Sequence, residues 1–228
     1  MKIGNVKYFT ALFIAAVMLM QLSSCIEIER NIKINSDGSG TESQKISIDR
    51  SFYDMMIMLV SSLDTAKGKS IRDSLYNHED FVKKIRSDFE NSKETELKRL
   101  EGMTNADSST TYFIDYAFNK IEALGKMTNT NPDGLGGDSK ADIKWEDKGR
   151  EVLFSLIYKP QDSGDNSSGK EMSYMFEGKQ MRVNIEFPYE ILSTNAAKYS
   201  GKKAEWIIGM KNLAEDPSLL FLEARLKK

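Results

Sequence analysis

The sequence predicts an α+β fold: an antiparallel β-sheet with an N-terminal hairpin followed by two helices packed on the sheet. Three observations predict it. The segment 26–48 alternates apolar and polar residues around an Asp-Gly turn. The segments 52–63 and 77–89 change to three- and four-residue spacing. From residue 110 onward the period of two returns in most of the apolar segments.

The elements follow in chain order. Ile26, Ile28, Ile32 and Ile34 share one parity, with Arg30 interrupting them, while Glu27, Glu29, Asn31 and Lys33 take the other. That is a strand with one buried face. Ser36-Asp37-Gly38-Ser39-Gly40 supplies the turn, and Ile46 and Ile48 continue the pattern on the return strand. Phe52, Met55, Met56, Leu59, Val60 and Leu63 then mark a helix whose apolar arc is widened by Ile57 and Met58. Residues 64–76 read as a polar connection. Asn77 caps a second helix, with Asp80 as capping partner and Phe81, Val82, Ile85 and Phe89 as the buried stripe.

Leu97, Leu100 and Met103 suggest a short strand. Tyr112, Ile114, Tyr116 and Phe118 alternate clearly, and 120–127 suits a short helix. Asn129 to Ser139 and Asp162 to Gly169 are polar, turn-rich loops. Ile143 and Trp145 open a strand. Val152, Phe154, Leu156 and Tyr158 share one face of the next, and Leu153 and Ile157 occupy the other, the signature of a central strand. Met181, Val183, Ile185 and Phe187 form a further strand ended by Pro188. Trp206, Ile208 and Met210, then Leu220, Leu222, Ala224 and Leu226, complete the series. No internal repeat and no linker emerge, so residues 25–228 are expected to form one domain.

Composition narrows the function. The chain has 228 residues, a net charge of −2, one cysteine and one histidine. A nucleic-acid partner is not expected without a basic field. A disulfide framework and multi-cysteine or multi-histidine metal centres are excluded. No cofactor motif is present.

The N-terminus carries an address. Lys2 and Lys7 precede an apolar run from Phe9 to Met20, broken by Thr10, and Leu22-Ser23-Ser24-Cys25 closes it. Basic, apolar and small-residue segments in that order make a secretory signal. The run is shorter than the ~20 residues that span a bilayer. Leu22-Ser23-Ser24-Cys25 resembles the lipobox of bacterial lipoproteins. That resemblance implies cleavage of residues 1–24 and a diacylglyceryl group on Cys25, with palmitate-type acyl chains anchoring the chain to a membrane of the cell envelope. No flexible tether separates Cys25 from the first strand.

A further likeness rests on both ends of the mature chain. The Ser-Asp-Gly-Ser-Gly turn, the early helical pair, Val183-Asn184-Ile185-Glu186-Phe187-Pro188 and Ala204-Glu205-Trp206 resemble the LppM-type envelope lipoprotein domain. The resemblance implies an α+β envelope domain with lipid contact and no catalytic chemistry.

His78, next to Glu79 and Asp80, has no Gly-x-Ser-x-Gly nucleophile elbow to serve, and reads as a first-turn surface residue. Glu27 and Glu29 lie two apart on one strand face, but Lys33 beside them marks a solvated pattern. Asp162, Asp165 and Asn166 fail as a calcium loop because Ser173 stands at the twelfth position. Gly134-Leu135-Gly136-Gly137 lacks the Lys-Ser/Thr of a P-loop. The expectation is a non-enzymatic, membrane-anchored binding or structural module, whose further partner is lipid or another envelope protein. The alternative is a hydrophobic-ligand binder, with Phe52, Met55, Met56, Ile57, Met58 and Leu59 lining a cavity beside the helix. A hydrolase is the remote third reading.

Overall fold

The computed structural model describes residues 26–63, 78–127, 140–159, 173–216 and 220–228. Cys25, the leader, the 64–76 connection with its Asn77 cap, and the loops 129–139 and 162–169 lie outside the described residues.

Strands β1 (Ile26–Ile34) and β2 (Gly40–Ile48) form the N-terminal hairpin, and helix α1 (Arg50–Leu63) follows it. Helix α2 (His78–Glu90), strands β3 (Thr95–Thr104) and β4 (Thr110–Phe118), and helix α3 (Ile121–Met127) come next. Then run β5 (Lys140–Asp147), β6 (Glu151–Lys159), a 3-10 turn at Ser173–Phe176, β7 (Gln180–Glu186), β8 (Glu190–Thr194), β9 (Lys198–Ser200), β10 (Lys203–Gly209), helix α4 (Met210–Glu215) and β11 (Phe221–Lys227). They build a seven-stranded sheet in the order β3-β4-β2-β1-β7-β10-β9 and a four-stranded sheet in the order β5-β6-β11-β8.

This overturns the α+β expectation. The fold is β-rich, with two sheets, and the helices among the described residues are four and short. The larger sheet is also mixed, because β1 pairs parallel to β7 (Ile28 with Met181, Ile32 with Ile185). The main core is filled mostly by strand residues from both sheets. Phe154 and Phe187 meet edge to face at 5.2 Å, and Val183, Ile185 and Trp206 share that core with Leu156, Leu222 and Leu226. Periodicity had assigned the buried face of nearly every strand, but it carries no information about which strands share a sheet.

The hairpin pairs as expected, with Ile26 opposite Ile48 and Ile28 opposite Ile46. Ile32 and Ile34 pair with Glu42 and Gly40. Gly40 is required there, since a Cβ would stand 2.1 Å from the Lys33 carbonyl oxygen and 2.4 Å from the Phe118 ring. β3 is longer than expected and lies at the sheet edge; β8 and β9 were not anticipated. Met210 begins α4 rather than ending β10.

A repeat does exist in three dimensions. The β1–β2 and β3–β4 turns have one geometry. In each, an asparagine (Asn35, Asn105) donates its backbone N–H to a serine carbonyl (Ser39, Ser109) at 2.8 Å. In each, an aspartate (Asp37, Asp107) accepts from that serine's hydroxyl at 2.6 Å and its N–H at 3.0 Å. The serine hydroxyl bonds hold both carboxyls below their ordinary range. Gly38 and Ser108 take positive φ at matching positions, 82° and 66°. A helix follows each hairpin, and β2 and β4 pair antiparallel, so the two units are related by a local two-fold. Little beyond the two turn motifs is repeated in the sequence, so the repeat is not legible there.

The sheets are joined at a corner between β8 and β9. Asn195 accepts the Trp206 indole N–H at 2.7 Å and the Glu223 N–H at 3.0 Å, and donates to the Phe221 carbonyl at 2.8 Å. One amide thus links β10 of the large sheet to β11 of the small one.

Candidate functional site

The most unusual chemistry lies inside. On β1 and β2 the inward parity carries two charges, Arg30 and Glu42, which are 5% and 1% exposed. Arg30 Nε donates to Glu42 Oε1 at 2.5 Å and its Nη2 to Oε2 at 3.0 Å. Gln44 Nε2 donates to Oε1 at 2.9 Å, and the Tyr116 hydroxyl from β4 donates to Oε2. The Tyr116 ring meets Phe89 of α2 at 5.0 Å. The registers place Tyr116 directly opposite Glu42 and Arg30 one row away. Both carboxylate oxygens are engaged and the group is sealed from solvent. It therefore suits a structural role: it fixes the register of three strands rather than meeting a substrate. In the sequence Arg30 stands only as an interruption of the apolar parity. The available signal was an opposite charge, Glu42, on the inward parity of the return strand.

The proposed ligand helix shows a sharp division. Phe52 and Ile57 are 0% and 5% exposed, Tyr53 is buried and Met55 half-buried, whereas Met58 is 72% exposed. Phe52 and Tyr53 pack with Ile26, Ile48 and Tyr112, and the Phe52 ring lies 5.9 Å from Phe176. Burial, with the nearby Tyr53, pushes the Tyr112 hydroxyl pKa up. The side chains of Met56 and Leu59 lie outside the described ones, as does that of His78. Glu27 and Glu29 sit on the outer face of β1, where Glu29 accepts from Asn31 at 3.2 Å. No group of three or more His, Cys, Asp or Glu side chains among the described residues could hold a metal ion.

Two open grooves mark the outer faces of the sheets. One, of about 580 Å³, crosses β2, β1, β7, β10 and β9. Its floor is the Asn184–Asn31 hydrogen bond at 2.9 Å. Ion pairs flank it: Lys33 and Lys203 reach Glu186 at 3.7 and 3.5 Å, and Arg182 and Lys198 reach Glu205 at 3.1 and 3.5 Å. Each such exposed pair contributes little to stability, ~0–1 kcal/mol, but together they present fixed charges and amides to a polar partner. The second groove, of about 430 Å³, lies on the small sheet over Leu153, Ile157 and Phe221. β6 is central, as its sequence indicated, yet its second apolar face looks outward: Leu153 is 36% exposed. Among the described side chains, none of residues 52–59 lines either groove.

The chain is thus a two-sheet, β-rich protein, with a polar outer face on the large sheet and apolar side chains on the outer face of the small one. No protein-family model and no curated protein matches it. Among solved structures it is similar to the folded domain of Mycobacterium tuberculosis LppM, determined by NMR, with a TM-score of 0.44 and 11% identity over 90% of each chain. No residue role carries over from a likeness at that level.

Proposed function

We propose that the protein is a non-catalytic lipoprotein of the bacterial cell envelope, held to the membrane through Cys25 and presenting the polar face of its large sheet to a partner. The observation that carries this reading is the lipobox Leu22-Ser23-Ser24-Cys25 at the end of a short apolar run, joined directly to a folded strand. Ile26 is only 6% exposed and pairs with Ile48. An acylated Cys25 would therefore stand one residue from the core, with no slack, and would hold the Ile26 end of the sheet against the lipid. No helix among the described residues is long and apolar enough to cross a membrane, and two or more acyl chains suffice for stable anchoring. Cys25→Ser should yield an uncleaved precursor or a released chain on fractionation. A mutant still cleaved before residue 25 and retained on membranes after detergent-free washes would refute the anchor.

One observation favours a second contact. α1 starts two residues after Ile48, the partner of Ile26, and it carries the exposed Met58. On this reading Met58 touches lipid, while Ile57 belongs to the packed side. Ile57→Gln should lower the melting temperature, since it buries an amide without a partner at ~1–3 kcal/mol. Met58→Gln should leave the melting temperature alone but reduce labelling of α1 by a photoreactive phospholipid in reconstituted vesicles. Equal labelling of wild type and Met58→Gln would remove α1 from the membrane contact.

A further inference from the structure

The outer face of the small sheet carries charges whose signs alternate across its strands. Register places its residues in rows across β5, β6 and β11: Asp142, Ile157 and Phe221; then Lys144, Ser155 and Glu223; then Glu146, Leu153 and Arg225. Leu153 and Phe221 are 36% and 37% exposed and Ile157 is half-buried, so apolar side chains line the middle of the groove. The signs alternate around it. The second row reads positive on β5 and negative on β11; the third row reads the reverse.

From this face we infer that two copies of the chain associate through their small sheets, about a two-fold axis running along β6. That operation stacks each row on itself with β5 facing the partner's β11. Lys144 then meets Glu223 of the second copy and Glu146 meets Arg225, each twice, because an isologous contact repeats every pairing. Leu153 and Ile157 stack on their own equivalents along the axis. The second and third rows are self-complementary under this operation, whereas a row of one sign would repel itself; the first row sets Asp142 against Phe221 of the second copy, and Glu151, in the row beyond, stacks on its own equivalent. Within one copy Glu146 also reaches Lys148 at 2.7 Å and Arg225 reaches Glu151 at 3.3 Å. These exposed pairs leave both side chains at the rim of the groove.

The face is small. The three facing strands, ~4.8 Å apart and about five residues long, give roughly 240 Å² of flat area per copy. That is the range of weak, concentration-dependent association, in the micromolar range or above. The test is sedimentation of the full chain in detergent, over roughly 5–500 μM to bracket that range. The wild type should pass from monomer to dimer. Leu153→Lys should stay monomeric. Lys144→Glu and Glu223→Lys should each weaken the dimer about tenfold or more, and the double swap Lys144→Glu/Glu223→Lys should return it to within about threefold of wild type, since the pairs re-form with signs exchanged. Circular dichroism confirms that each variant is folded. A wild type that is monomeric throughout, or occupied by some other partner instead, overturns the inference. So does a dimer that ignores Leu153→Lys, or a double swap no better than the single changes.

Discussion

Arg30→Met should destabilise the protein by about 3–5 kcal/mol, because it leaves the Glu42 carboxylate buried without its cation. Glu42 is 1% exposed, and its remaining donors, Gln44 and Tyr116, are neutral. The decisive comparison is the triple change Arg30→Met, Glu42→Leu and Tyr116→Phe. It removes the charges and the hydroxyl together and replaces them with apolar volume, so most of the lost stability should return. Urea denaturation followed by circular dichroism measures both. A single substitution costing under about 1 kcal/mol would mean that the pair is solvated, and the register-fixing role would fall with it.

Ile34→Asp carries the other large effect. Ile34 is 2% exposed, on the inward parity at the turn end of β1. Replacing it loses roughly 1.5–3 kcal/mol of apolar burial and sets a carboxylate in the core, which must then stay protonated or pull the strand end outward. The adjacent Lys33→Asp should be close to neutral. Its side chain is 62% exposed and holds a single ion pair to Glu186 at 3.7 Å, worth ~1 kcal/mol at most. Thermal melts of the two variants side by side test the assignment of faces. Equal losses would show that β1 presents both faces to the core.

The contrast between these neighbours indicates what was legible in the sequence. Period-two alternation announced β1, β2, β4, β7 and β11 with their buried faces, because burial on one side of a pleat leaves a direct imprint on residue order. The 3.6-residue pattern located α1 and α2 but exaggerated their weight in the fold. Partnering left no such imprint. The parallel β1–β7 pair joins residues some 150 positions apart, and the split into two sheets depends on the corner held by Asn195. β8 and β9 are short and lie at sheet edges, with a bulge where β8 meets β11, so neither has a regular apolar face to read. Ile57 and Met58 looked equivalent as additions to the apolar arc of α1, and one is buried while the other is exposed.

The functional reading was legible in another way. The proposed anchor rests on contiguous residues, 22–25, whereas the outer faces become sites only when distant strands assemble. Asn31 meets Asn184 across 153 residues of chain. No local motif could announce that floor, and the Arg30–Glu42 pair was visible only as two separate exceptions to an apolar pattern.

Intact-mass spectrometry of the protein extracted from membranes tests the proposed anchor at Cys25. A chain anchored in this way begins at Cys25, with its N-terminal peptide heavier by a thioether-linked diacylglyceryl group. A chain that begins elsewhere, or one whose Cys25 is recovered as a free thiol without added lipid mass, would contradict it.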